Sequence, residues 1–98
     1  MTALMAAASR DHTGTIKALL NAGADIDAKG AKDGKTALTV AALIGNPDAV
    51  EVLLQRGSDV NARDNDGRTA LSLAKWSRAK RARKDRIKEI LLAAGAVP

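Results

Sequence analysis

The chain has no cysteine, phenylalanine or tyrosine, and one tryptophan and one histidine among its 98 residues. Without cysteine there are no disulfides, no thiolate chemistry and no sulfur metal ligands, and the redox compartment is left open. A single histidine removes the paired-imidazole constellations of metal and acid–base sites. Apolar runs are short: Ala37 to Ile44, interrupted by Thr39, is the longest, far below the length that spans a bilayer. The first residues give way to Ser9-Arg10-Asp11 without a preceding basic region, unlike a secretion signal. An intracellular, cytoplasmic protein is the default expectation. What is abundant is alanine, 21 residues within a 46% apolar fraction, a profile that favours close-packed helices. A chain this short makes one small domain with a thin core, so function has to come from its surface.

The formal net charge of +5 conceals a division. Residues 1–74 carry eight Lys/Arg against nine Asp/Glu, whereas residues 75–98 carry eight against two.

Sliding the sequence by 34 positions superposes Thr2-Ala3-Leu4 on Thr36-Ala37-Leu38, Ala7-Ala8 on Ala41-Ala42, Leu19-Leu20 on Leu53-Leu54, Gly23 on Gly57, Asp25 on Asp59 and Ala28 on Ala62. A further step of 33 brings in Thr69-Ala70-Leu71. Each copy reads the same way. A helix starts at the Thr, whose hydroxyl accepts a backbone N–H. A second helix follows, announced in the middle copy by Asn46-Pro47-Asp48, with Asn as cap, Pro at the first helical position and Asp favoured by the helix dipole. Gly23, Gly57 and Gly95 stop the second helices through the left-handed cap conformation. Asp33-Gly34 and Asp66-Gly67 then make tight turns.

Period, the T-x-L start with its downstream A-A, the paired leucines and the endings GADIDAK and GSDVNARDNDG together resemble ankyrin repeats over nearly all of residues 2–96. The resemblance implies an all-α solenoid of three helix-turn-helix units joined by hairpin-like loops, spanning about 2–30, 31–63 and 64–96. It departs from the family's T-P-L-H in lacking Pro and His, with Met5, Thr39 and Ser72 in the histidine position; Thr39 and Ser72 are expected to supply part of that residue's bonding between repeats. One extra residue lies within Gly30-Ala31-Lys32. Five more lie between the helices of the third copy, within Ser77 to Arg83, because Thr69 to Gly95 is 26 residues where the other copies have 21.

No catalytic constellation is present in the sequence, so neither enzyme activity nor a cofactor is expected. His12 aligns with Asn46 and reads as a helix cap. The acidic loop Asp59 to Gly67 fails the calcium-loop pattern: with Gly67 as sixth position, Ala62 stands first and no distal Glu follows. Its Asp and Asn residues read as turn chemistry.

By resemblance, the module binds a protein partner over a concave face of loop tips and first helices. The family's variable loop-tip positions fall on Lys32, Asp33, Lys35, Asn65, Asp66 and Arg68, and its variable pair after A-A falls on Ser9-Arg10, Leu43-Ile44 and Trp76-Ser77. Leu43, Ile44 and Trp76 are large apolar residues where the repeat does not require them, the composition of an interaction hot spot; packing between neighbouring helices is the alternative. Lys75 and Lys88 stand where the earlier copies have Ala or Ile/Val, and charging those positions blocks further stacking. The basic run Arg78, Lys80, Arg81, Arg83, Lys84 and Arg86 is expected partly as a solvated cap, with Arg78, Lys80 and Arg81 near a helix C-terminus. It also offers alternative functions, binding an acidic protein face, or nucleic acid or another anionic surface, through residues 75–88, the nucleic-acid version weakened by the lack of aromatics for base stacking; a scaffold fragment with no partner of its own is a further alternative. At the other end, no polar cap shields the first copy, so an apolar edge, a fragment of a longer array, or a monomer that weakly dimerises through that edge is expected.

Overall fold

The computed structural model describes residues 1–97. Its elements are six helices: α1 (Ala3–Ser9), α2 (Thr13–Asn21), α3 (Ala37–Ile44), α4 (Pro47–Gln55), α5 (Ala70–Trp76) and α6 (Arg81–Ala93), and no strand is present among the described residues. The first helices pack in single file, α1 on α3 and α3 on α5, and the second helices likewise, α2 on α4 and α4 on α6. Burial follows from that order. In α3, flanked on both sides, every residue from Ala37 to Ala42 is buried; α6, flanked on one, buries only Ile87 and Leu91.

The local reasons match the sequence pattern. Thr2, Thr36 and Thr69 are the N-caps of the first helices, accepting from the amides of Met5, Thr39 and Ser72. Gly23, Gly57 and Gly95 follow the second helices at φ of 94°, 93° and 97°, a left-handed conformation in which a side chain would be strained. In the hairpin loops, Gly30 N–H donates to Lys35 O at 2.8 Å and Asp64 N–H to Arg68 O at 2.9 Å. The first loop thus closes over one more residue than the second, which accommodates the extra residue at 30–32. The two loops join where Asn65 donates its backbone N–H to Asp33 O, 2.8 Å, and its Nδ2 to Lys32 O, 3.2 Å. Gly34 is required there, because a Cβ would overlap the Asn65 amide.

Four expectations are corrected. The inserted residues of the third copy form an extra turn at the start of α6, which has 13 residues against nine in α2 and α4, leaving only 77–80 as a link. Lys80 and Arg81 consequently sit at a helix N-terminus rather than a C-terminus, with Arg83 and Lys84 in the same first turn. Thr39 and Ser72 do not bond between repeats: Thr39 Oγ1 accepts from Thr36 N–H and donates to Thr36 O, and Ser72 does the same with Thr69, closing a capping box within each unit. The histidine-like role is absent because these side chains are too short to leave their own helix turn. His12 occupies the N-cap position of α2 but makes no capping bond with its side chain.

Asn46 is likewise an N-cap without a capping side chain. Its Nδ2 reaches instead to Ala8 O at 2.8 Å and Ser9 O at 3.1 Å, satisfying carbonyls at the end of α1 in the neighbouring unit. In return Asp11 Oδ1 accepts from Ala49 N–H at 3.1 Å, in the first turn of α4. Asp11 holds φ 57°, the one positive-φ residue other than glycine among those described, and Gly45 occupies the equivalent left-handed position one unit on. The edge of the first unit is also less apolar than its sequence implies. Leu4, Met5 and Ile16 turn inward at 3%, 2% and 0% exposure, leaving Ala3, Ala6, Thr15 and a half-buried Leu19 outside.

Candidate functional site

Trp76 ends α5 and is 72% exposed, so it does not pack between first helices. Ile44, at the end of α3, is 51% exposed, and Leu43 beside it is half-buried. With Arg78 and Ala79 these three side chains line one open cavity of about 400 Å³. The structure therefore brings together residues that the sequence separates by more than thirty positions. Its far wall comes from the third unit's inserted link: Ser77 Oγ accepts from Ala79 N–H at 3.1 Å, which turns the link over the end of α3. Gly45 permits that crossing, since a Cβ there would overlap the Ala79 methyl. Ser77 is itself buried at 5% exposure, so its side chain is a support for the wall and not a contact for a partner.

Arg68, at the loop tip before α5, places its guanidinium 5.7 Å from the centroid of the Trp76 ring. The seven residues of α5 rise about 10 Å, so the arginine stem lies along the helix and joins the loop tip to the cavity. Such a stack holds the charge beside the indole and stiffens both side chains.

The remaining loop-tip residues divide. Lys32 and Asp66 are exposed. Asn65 is exposed too, but its amide and backbone tie the loops together. Lys35 is not free for a partner: its side chain is only 16% exposed, 3.4 Å from Asp64 Oδ2 and 3.8 Å from Asp33 Oδ2. Asp64 is the buried partner, with no exposed side-chain surface. Its burial raises the pKa, and this is outweighed by hydrogen bonds from the Arg68 and Asp66 amides, both 2.9 Å to Oδ1, and by the Lys35 ammonium, so the carboxyl titrates below its ordinary value. Sequence reasoning placed Asp64 only in a turn; its burial depends on the stacking of two loops. Arg10 is exposed but lies at the other end of the array, with Ala3, Ala6 and Leu19.

The basic segment is split as well. Arg86 Nη2 is 3.1 Å from Glu51 and 3.7 Å from Asp48, both on α4, which makes it a tie between units rather than an open phosphate contact. Arg81 pairs with Asp85 one turn on, 3.7 Å away. Arg78, Lys80, Arg83 and Lys84 form no ion pair among the described residues. Lys75 is exposed on the outer edge of the third unit, where Asn61, Arg63, Leu71 and Val97 also lie, and Lys88 is half-buried. No group of three or more metal-capable side chains occurs among the described residues, and no helix is long and apolar enough to cross a membrane.

A family model described as ankyrin repeats (3 copies) matches residues 4–96. Among curated proteins, the chain is 39% identical over 66 residues to the ankyrin repeat and KH domain-containing protein mask-1 of Caenorhabditis elegans, covering 67% of this chain and 2% of that protein. It is 45% identical over 60 residues to protein phosphatase 1 regulatory subunit 12A of Mus musculus, 60% of this chain and 6% of that one. It is 39% identical over 72 residues to the ankyrin repeat and SAM domain-containing protein 6 of Mus musculus, 74% and 8%. The chain thus spans a small fraction of the length of each. Ankyrin repeats are generally protein-interaction modules. The file of paired helices, the capped Thr starts and the match across residues 4–96 lead to one assignment: the chain belongs to the ankyrin repeat family.

Proposed function

We propose that this chain is a non-catalytic module that holds a protein partner over the face formed by its loop tips and first helices, centred on Leu43, Ile44 and Trp76. The observation that carries the reading is the exposure of Trp76 and Ile44 around one cavity. Burying large apolar groups in this way stabilises a complex by about 25 cal/mol per Å² removed from water, and Trp and Arg are among the residue types enriched where binding energy concentrates. Lys32, Asp33, Asn65, Asp66 and Arg68 form the rim of this surface, and the half-buried Lys35 supports it. An intracellular location belongs to the same proposal.

The test compares wild type with Trp76→Ala in affinity capture from lysate, alongside thermal melts. A protein retained by wild type and lost by the variant, with the melting temperature unchanged, supports the reading. Retention equal for both sinks it.

A second reading, binding of a polyanion, draws on the unpaired cations Arg78, Lys80, Arg83 and Lys84 around the α6 N-terminus. With four phosphate contacts, log affinity would fall with log salt at a slope of about −3 to −4. A flat salt dependence removes it.

A further inference from the structure

Resting on the interaction reading above, we propose that the partner segment is an acidic peptide with an aliphatic anchor, its aliphatic side chain in the Leu43, Ile44, Trp76, Arg78 and Ala79 cavity and its carboxylates on Arg68 and Arg78. The cavity is lined by aliphatic side chains, the Trp76 indole and the cationic Arg78, and no carboxylate is among them. Both cations at its margin are uncompensated: neither Arg68 nor Arg78 forms an ion pair among the described residues. The chain's paired carboxylates, Asp33, Asp48, Glu51, Asp64 and Asp85, are committed to Lys35, Arg81 and Arg86. An acidic partner complements these two cations, and a basic one is repelled.

The stack of Arg68 on Trp76 adds a geometric reason. The Arg68 guanidinium lies 5.7 Å from the centroid of the Trp76 ring, beside the cavity, and an arginine suits a bidentate carboxylate. The chain has no aromatic residue other than Trp76 on which nucleobases would stack. At about 400 Å³ and open to solvent, the cavity suits a side chain of a bound segment, which is flanked by the rest of that segment, better than an enclosed small molecule.

Trp76 is the only tryptophan, so its fluorescence reports the site directly. Three synthetic peptides would be titrated into the full chain: alternating Glu and Leu, alternating Gln and Leu, and alternating Glu and Ala. The Glu/Leu peptide is expected to shift Trp76 emission saturably, with the other two weaker by about tenfold or more and the affinity falling with salt. Arg78→Glu and Arg68→Gln should each weaken the Glu/Leu peptide severalfold with melting temperatures unchanged, whereas Lys84→Glu, away from the cavity, should change it little. Equal binding of the Gln/Leu peptide overturns the acidic assignment, as does a failure of all three to move Trp76. Equal binding of the Glu/Ala peptide, dependent on Arg83 and Lys84, overturns it in favour of a polyanion surface. None of these outcomes decides the Trp76→Ala capture comparison, which judges the interaction face separately.

Discussion

Two buried polar side chains show how single residues shape this repeat array. Ser58 follows the helix-ending Gly57, is 8% exposed, and its Oγ has no hydrogen-bond partner. The other two units carry Ala24 and Ala96 in its place. A buried hydroxyl without a partner loses its hydration for nothing, so Ser58→Ala is expected to stabilise the fold by about 0.5–1 kcal/mol, raising the melting temperature by a few degrees. A lower melting temperature would show that the hydroxyl is satisfied in solution. Asp64 differs: its Oδ1 accepts from two amides, and its Oδ2, which has no hydrogen bond, faces the Lys35 ammonium at 3.4 Å. Its folded pKa lies below the ordinary value of 3.8, so the stability it contributes is fully present above that value and is lost as pH falls through the folded pKa. Asp64→Asn keeps one acceptor and loses the charge. It should be less stable than wild type at neutral pH by about 1–2 kcal/mol, with the difference vanishing in acid denaturation profiles once the pH has fallen through the lowered folded pKa. A difference that persists unchanged into strong acid would mean that charge is not the cause.

At the scale of whole helices, the start of α6 runs against its own dipole. Lys80 is its N-cap without a side-chain bond, no acidic residue stands in the first turn, and Arg81, Arg83 and Lys84 add positive charge there. Cations at a helix N-terminus are unfavourable. Lys80→Asp should therefore add about 1 kcal/mol from capping and dipole together, measurable by urea denaturation; a loss would mean that Lys80 has a compensating contact. What could be read from the sequence at this scale was whatever depends on neighbours along the chain: the Thr starts, the Gly stops, the paired leucines and the Asp-Gly turns. Of the side chains it misread, Asn46, His12 and Lys35 have partners in another unit or none, whereas Thr39 and Ser72 bond within their own helix turn. Asp11 holding Ala49 N–H and Asn46 holding Ala8 O span 38 residues each, and such pairs exist only once two units are stacked. The candidate site divides the same way. Leu43, Ile44 and Trp76 stood out as large apolar residues at positions free to vary, but the wall built by Ser77, Ala79 and Gly45 depends on where the inserted link crosses a neighbour.

For the molecule as a whole, helices pack within each unit and on the adjacent unit, and the stability of any segment should follow the number of its neighbours. The middle unit is flanked twice: Leu38, Val50 and Leu53 are all fully buried, and removing part of such a side chain costs about 2–5 kcal/mol. The third unit has only Ile87 and Leu91 holding a 13-residue helix whose exposed face is mostly charged. Native-state amide exchange should therefore be slowest in α3 and α4, faster in α1, α2 and the body of α6, and fastest in the first turn of α6, where Arg83 and Lys84 amides bond only to Lys80 O. A module built in this way keeps its middle rigid while the inserted link at residues 77–80, which walls the cavity, belongs to its less stable end. Binding of a partner there should then slow exchange in α5 and α6 more than in α1 and α2, because a ligand stabilises most the segment whose opening would release it. Uniform protection across all six helices, with or without partner, would mean that the array opens only as a single cooperative body.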